Sequence, residues 1–222
     1  LAAFTTRYRI QNVAWGGRST LTDWAGNQQW LLSPHRLVGL LEIEALADTE
    51  AYAIHGRVRF GCGRGRGVEP KEIERRDASF FKYGMMLCRL HEHTYADVIT
   101  EPSETFYIDP PESFASREIV LRDVAGGAAP TRRAIPRGQR HYVVVEVFPG
   151  WSEPARAVRR LATAEGLRGL VLDAAEGSVV LLHNPTDTAL DWQVTPEWAG
   201  RRVERHHEIG RASCRERVYH PV

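Results

Sequence analysis

The sequence predicts an all-β protein, built as a large antiparallel β-sandwich of the supersandwich type. Apolar and polar residues alternate with a period of two along most of the chain, which is the spacing of strands with one buried face. The segments between these patterns are rich in Gly, Pro, Asp and Asn, the residues that turns require. A helical period is almost absent, so strands and turns account for nearly the whole chain.

The predicted elements differ in how they are covered. Segment 36–46 carries apolar residues at both odd and even positions, so we expect a strand that is buried on both faces. Segment 152–164 is the one place for a helix, with Ser152 as a cap and Pro154 in the first turn, and an irregular strand is the alternative. The period-two pattern predicts strands over 5–14, 36–46, 51–60, 80–95, 118–124, 141–148, 167–173, 178–183 and 189–194.

Composition narrows the class of protein. The 222 residues are 43% hydrophobic and 26% charged, as expected for a globular domain with a core. The formal net charge of +1 provides no broad field for nucleic acid or anionic lipid, so we expect neither as a partner. Three cysteines without a CxxC pair argue against both a disulfide scaffold and a zinc ribbon.

Both ends of the chain are unusual. The chain begins at Leu1 without an initiator Met or a signal peptide, which is typical of the interior of a longer protein. Residues 208–218 read EIGRASCRERV and resemble the translation of a common DNA-sequencing adapter; a polar native tail is the alternative. We therefore expect an incomplete β-sandwich domain over residues 1–207 and a non-native or disordered tail over residues 208–222.

A tryptophan-rich stretch is the first candidate site. Residues 15–30 contain three tryptophans interleaved with amide and charged side chains. Indole faces stack on the C–H faces of sugar rings, while amides and guanidinium groups bind hydroxyls and carboxylates. The alternative is that Trp24 and Trp30 anchor the core. The pattern predicts a carbohydrate-binding site formed by Trp15, Arg18, Trp24, Asn27, Gln28 and Trp30.

His91 and His93 form the second candidate site, for a divalent metal ion. Residues i and i+2 of a strand project to the same face, so both imidazoles would reach one ion, with Asp97 close by in sequence. The alternative is a polar outer strand face. The acidic segment 101–112 and the Gly-rich segment 61–67 are interpreted as solvated loops, because neither has the spacing of a catalytic pair or a phosphate loop.

Three segments resemble the β-sandwich region of polysaccharide lyases of the heparinase II/III-like type. They are DWAGNQQWL over 23–31, RLVGL over 36–40 and VLLHNPTD over 180–187. The resemblance implies that an α/α-toroid precedes the sandwich, supplies the main catalytic Tyr and His, and forms the active cleft with it. That toroid, missing from this chain, and a polysaccharide or oligosaccharide are the implied partners.

The resemblance also implies an activity on uronate-containing glycans in a secreted or periplasmic bacterial parent. Arg18 and Asn27 would neutralise the uronate carboxylate, and His35 or His91 would help to remove the C5 proton, which makes His35 a further carbohydrate-binding candidate. We expect the chain alone to be catalytically silent. In the parent it would form one side of the cleft and pack against the toroid. The alternatives are a non-catalytic carbohydrate-binding module and a purely structural β-domain.

Overall fold

The structure is a computed structural model, and its described part covers most of the chain. The described backbone comprises residues 2–14, 18–51, 53–64, 72–102, 114–124, 131–174, 177–184, 188–190, 203–209 and 216–221. Side chains are described over residues 24–51, 53–60, 72–102, 117–124, 131–173, 177–184 and 188–190.

The described residues form seventeen strands and contain no helix, which confirms the all-β prediction. In chain order the strands are β1 Ala2–Ala14, β2 Arg18–Ser33, β3 Arg36–Ala45, β4 Thr49–Ala51, β5 His55–Arg64, β6 Glu74–Arg75, β7 Phe80–Tyr83, β8 Met86–His93, β9 Asp97–Pro102, β10 Phe114–Arg122, β11 Arg133–Ile135, β12 Arg140–Pro149, β13 Ala157–Ala162, β14 Arg168–Ala174, β15 Gly177–His183, β16 Val203–Ile209 and β17 Glu216–Pro221.

Four antiparallel sheets make up the fold. A central sheet has the strand order β1-β2-β3-β12-β8-β7-β6, and a five-stranded sheet has the order β13-β14-β15-β17-β16. A three-stranded sheet has the order β5-β10-β9, and β11 pairs with β4. The layers are sandwich-like, because apolar side chains from the central sheet pack against the other sheets on both of its faces.

The β3 and β12 strands show how the central sheet is buried. On β3, Val38 and Leu40 pack toward the five-stranded sheet, while Leu41 and Ile43 pack toward the three-stranded sheet. On β12, Val144 packs toward the five-stranded sheet, and its two neighbours in sequence pack toward the three-stranded sheet. Each fully buried aliphatic side chain contributes roughly 1.5–3 kcal/mol. The expectation that strand 36–46 is covered on both faces is confirmed.

Several predicted elements have different boundaries in the structure. Segment 80–95 is two strands, because Gly84, with φ of 59°, makes the turn between β7 and β8. Segment 51–60 belongs to two sheets, with β4 and β5 separated near Ile54. Segment 152–164 contains strand β13 and so follows the strand alternative. Strand β5 extends to Arg64 in the predicted loop, and residues 191–194 of the last predicted strand lie outside the described residues.

The C-terminal strands belong to the five-stranded sheet. Strand β16 pairs with β17, and β17 pairs with β15 in a register that sets Val180 opposite Tyr219. The described backbone therefore includes two strands that overlap the predicted tail. The origin of residues 208–218 as translated adapter sequence, and of 208–222 as a non-native tail, stays a prediction.

Candidate functional site

The predicted sugar-binding tryptophans lie toward the core. Trp24 is only 6% exposed and lies opposite Ala45. The Trp30 ring is partly buried against the same core cluster and covers Gly39, while its Nε1 donates to Gln28 Oε1 at 3.2 Å. The indole faces of these two residues are therefore used for packing, as the core alternative predicted.

The other members of the predicted sugar site are spread apart. Asn27 is buried on the opposite face of β2, where it lies opposite Glu42. His35 is exposed in the turn between β2 and β3. Trp15 and the Arg18 side chain lie outside the described residues. The structure does not bring Asn27 together with Trp24 and Trp30, because odd and even positions of one strand point to opposite faces.

A bulge in β8 separates the two predicted metal ligands. Glu92 lies opposite Val144, His93 lies opposite Val143, and the register shifts before Val145. His91 is the extra residue and contacts Glu146, with 2.7 Å between Nε2 and Oε2, on the side of the five-stranded sheet. His93 shares the other face with Val143, so the two imidazoles do not reach one ion. Within the described residues, no group of three His, Cys, Asp or Glu side chains has the geometry for a metal.

An exposed apolar surface occurs at one end of the central sheet. Trp151 is 70% exposed and Met85 is 65% exposed, and Met86 is partly exposed beside them. The Gly150 N–H donates to the Met85 carbonyl at 2.8 Å, and Pro149 lies opposite Met86, so two neighbouring turns meet here. We call Met85, Met86 and Trp151 the turn patch.

Polar groups border the turn patch on the side of the β2–β3 turn. Arg36 Nη2 donates to the carbonyl of Glu153, two residues after Trp151, at 2.5 Å. His35 precedes Arg36 and is exposed at the same end of the sheet. An exposed indole on a turn that is bonded to a guanidinium group, at the end of the sheet where His35 is exposed, has groups that a sugar-binding surface uses. Of the predicted sugar-binding residues with described side chains, His35 is the one near this surface.

Glu146 fixes the chain that carries Trp151. Its buried carboxylate accepts a hydrogen bond from the Ala155 N–H at 2.9 Å and forms an ion pair with Arg36 Nε at 2.7 Å. His91 is the third group on this carboxylate. The connection from β12 to β13 is thus anchored at both ends, by the β12–β8 pairing and by Glu146. A fixed turn holds an exposed indole at a lower entropic cost of binding.

A second polar cluster lies between the central and five-stranded sheets. Glu42 is buried and accepts from Arg168 Nη1 at 2.5 Å and from Arg160 Nε at 3.1 Å. Three carboxylates face three guanidinium groups here, so the cluster neutralises itself and offers no net charge to a ligand. Its members are Glu42, Glu44, Glu92, Arg140, Arg160 and Arg168.

Two pKa shifts describe this cluster. Burial acts to raise the pKa of Glu44, but hydrogen bonds and charges from Arg140 and Arg168 outweigh it and hold that pKa below its ordinary value. Burial and the Glu92 carboxylate raise the pKa of Tyr142, whose hydroxyl donates to Glu92 at 2.5 Å. A tyrosine held protonated in this way is a poor base. The groups of this cluster therefore suit a structural contact between the two sheets rather than proton transfer.

Sequence reasoning did not identify Trp151. The signal was present, because Trp151 follows Pro149 and Gly150 and precedes Ser152, and such a turn exposes its central side chain. The tryptophans of β2 are candidates because they are clustered in the sequence, whereas a single aromatic residue in a turn is part of no periodic pattern.

No protein-family model, curated protein or solved structure matches the chain. Among the described residues, no helix has the length and apolar character needed to span a membrane.

Proposed function

We propose that the chain is the β-sandwich region of a carbohydrate-active enzyme, of the polysaccharide-lyase type, and that it contacts the glycan through the turn patch. The observation that carries the proposal is the exposure of Trp151, a residue that is 70% exposed on an anchored turn. Trp24 and Trp30 pack in the core, so the patch replaces them as the stacking surface. Exposed apolar side chains on neighbouring turns are the kind of surface that a sugar ring packs against.

The lyase part of the proposal rests on the sequence resemblance over 23–31, 36–40 and 180–187. In this proposal an α/α-toroid of the same parent covers one side of a cleft, and the sandwich supplies the other side. The substrate is a uronate-containing glycan, and the parent is secreted or periplasmic. The isolated chain is catalytically silent, because the main acid and base come from the toroid.

The proposal assigns no catalytic role within the described side chains. Asn27 is buried beside Glu42, and His91 is bonded to the buried Glu146, so neither is open to a substrate in this arrangement. His35 remains exposed and close to Arg36, which suits contact with a glycan hydroxyl or carboxylate. No step is assigned to a divalent metal, because the two candidate histidines face opposite sides of the sheet.

The lyase assignment is tested on the full-length parent protein. The parent is incubated with a panel of uronate-containing polysaccharides, and the absorbance of the unsaturated product is followed. We expect elimination on at least one acidic polysaccharide and none with the isolated 222-residue chain. Failure of the parent to form unsaturated product on the whole panel contradicts the lyase assignment.

The turn patch is tested by affinity electrophoresis of the isolated chain in gels that contain each polysaccharide. We expect retardation of the wild-type chain and loss of retardation in Trp151→Ala. Leu46→Ala is the matched control, because Leu46 is also an exposed apolar residue but directly follows the opposite end of β3. Equal retardation of all three proteins would show that the patch takes no part in binding.

A free-standing carbohydrate-binding module is the second candidate. It is favoured by the same exposed indole, since such a module needs no second domain to complete its surface. Analytical ultracentrifugation separates the two, because a module stays monomeric, whereas a surface made to dock a toroid promotes self-association. A purely structural β-domain, supported by the core positions of Trp24 and Trp30, predicts no glycan binding at all.

A further inference from the structure

Two arginines on β5 share one buried carboxylate. Arg57 Nη1 donates to Glu118 Oε1 at 2.5 Å, and Arg59 Nε donates to Glu118 Oε2 at 3.3 Å. The Glu118 side chain is fully buried on β10, whereas the side chains of Arg57 and Arg59 are 42% and 47% exposed. We call Arg57 and Arg59 the arginine pair.

The arginine pair has positive charge and hydrogen-bond donors to spare. Two guanidinium groups face a single carboxylate, which leaves a local charge of about +1. Each guanidinium has five N–H donors, and Glu118 accepts one from each. Burial, followed by the charges of Arg57 and Arg122, lowers the pKa of the neighbouring His55. On the same sheet face Arg122 is paired with Glu101 and lies opposite Asp97, so the positive excess lies on β5 and the negative excess lies toward β9.

The backbone beneath the arginine pair is fixed by packing. Val58 and Phe60 alternate with the two arginines and pack against the core cluster between the sheets. A Cβ at Gly56 would lie 3.1 Å from the Tyr95 ring, so the start of β5 lies tightly against the core. Successive same-face residues of a strand are roughly 6.5–7 Å apart, so both guanidinium groups reach the one Glu118 carboxylate, and their other N–H groups are available to a ligand on the solvent side.

We propose that Arg57 and Arg59 form an oxoanion subsite that binds one carboxylate or sulfate group of an anionic glycan. Glu118 is a positioning residue, because it holds both guanidinium groups in a set orientation before the ligand arrives. Guanidinium forks bind planar and tetrahedral oxoanions through paired hydrogen bonds. Binding of one anion brings the local charge to zero. The source of the anion, a glycan, rests on the proposed function, whereas the oxoanion chemistry rests on the arginine pair alone.

The first experiment uses the Nε–Hε NMR resonances of arginine in the full chain. Sodium sulfate and sodium acetate are each titrated at constant ionic strength against sodium chloride. We expect the Arg57 and Arg59 resonances to shift and saturate, while the Arg132 resonance does not. Arg132 is a matched control because it is an exposed arginine that is paired one-to-one with Glu50. Equal, unsaturated shifts at all three arginines overturn the subsite.

The second experiment assigns the source of the anion. Binding of hexagalacturonate and of the neutral maltohexaose is measured by calorimetry on wild type, Arg59→Gln, Arg57→Gln and Arg132→Gln. We expect about fivefold weaker binding of hexagalacturonate in either β5 variant, with Arg132→Gln and all maltohexaose affinities unchanged. Arg59→Lys keeps the positive charge but lacks the paired N–H donors of a guanidinium group, so it should show an intermediate affinity. It replaces a glutamine variant that does not fold.

The outcomes distinguish this subsite from the proposed function. Saturable sulfate binding without any effect of the β5 variants on hexagalacturonate overturns the glycan as the source of the anion. If wild type and Trp151→Ala are retarded equally while sulfate still binds saturably, the proposed function is contradicted and the oxoanion chemistry still holds. Equal hexagalacturonate affinity in wild type, Arg57→Gln and Arg59→Gln, together with no saturable sulfate or acetate shift at Arg57 and Arg59, overturns the whole proposal.

Discussion

Arg168 on β14 forms an ion pair with Glu42 on β3, with 2.5 Å between Nη1 and Oε1, and so bonds the five-stranded sheet to the central sheet. The Glu42 carboxylate is buried, and its second oxygen is paired with Arg160 of β13. One carboxylate thus pairs with two guanidinium groups from neighbouring strands, and Glu44 gives Arg168 a second carboxylate. The contact specifies which end of the five-stranded sheet meets which end of β3.

The first prediction concerns this carboxylate. Glu42→Gln leaves two mostly buried guanidinium groups with less than their compensating charge, which costs about 3 kcal/mol of unfolding free energy. Urea denaturation measures the change. Glu50→Gln is the control, because Glu50 forms an exposed pair with Arg132 and its loss should change stability by less than about 0.5 kcal/mol. Equal effects of the two substitutions would refute the role given to Glu42.

The second prediction concerns the contact between Gly39 and Trp30. A Cβ at Gly39 would lie within 2.6 Å of Trp30 Cε3, so Gly39→Ala displaces the indole from the core and destabilises the fold by about 1–3 kcal/mol. Gly150→Ala should be nearly neutral, because its Cβ would meet only the Met85 carbonyl at an ordinary 3.4 Å. Thermal unfolding compares the two. An unchanged melting temperature in Gly39→Ala would mean that Trp30 does not cover this glycine.

The third prediction is a pH dependence of stability. Burial, followed by the charge of Arg133, lowers the pKa of His141, and burial also lowers that of His55. A histidine with a lowered folded pKa contributes stability that is fully present above its unfolded pKa of about 6.5 and is lost as the pH falls through the folded pKa. The unfolding free energy should therefore decrease as the pH falls below about 6.5.

Substitution of these histidines isolates their contribution. His141→Gln keeps a hydrogen-bonding group beside Gln139 and should flatten the stability profile between about pH 7 and pH 5, and adding His55→Gln should flatten it further. Urea denaturation across this range measures both. A profile of the double variant that is as steep as that of wild type would contradict the prediction.

The fourth prediction concerns Cys88. Burial, together with the nearby Glu146 charge, raises the pKa of this thiol to about 12. In a variant that lacks Cys62 and Cys214, the thiol should react with Ellman's reagent at about pH 8 only as fast as the protein unfolds, because the thiolate is the reacting form. Added urea should accelerate the reaction. Rapid labelling of the native protein would show that Cys88 is open to solvent.

Part of this architecture could be predicted from the sequence. Strands β3, β12 and β15 are apolar at consecutive positions, and their burial follows from that pattern alone. The turn at Gly84 was hidden, because the alternation through Tyr83 and Met85 continues across it without a break. How the strands divide among four sheets depends on contacts distant in sequence, which periodicity does not encode.

The candidate sites could likewise be predicted only in part from the sequence. The even spacing of Trp24 and Trp30, and the odd position of Asn27, already implied opposite faces of one strand. The bulge that separates His91 from His93 depends on pairing with β12, so a single strand cannot reveal it. Exposure of Trp151 likewise depends on two turns lying side by side, at Gly150 and Met85.

The most direct test of the central claim is a tryptophan fluorescence titration of the full chain with oligosaccharides from the polysaccharides that retard it in gels. In a background in which Trp15, Trp192 and Trp198 are replaced by Phe, we predict a saturable change in emission without further substitution and with Leu46→Ala, and no change with Trp151→Phe, because Trp24 and Trp30 are packed in the core. A saturable change that persists in Trp151→Phe would contradict the claim that Trp151 contacts the glycan.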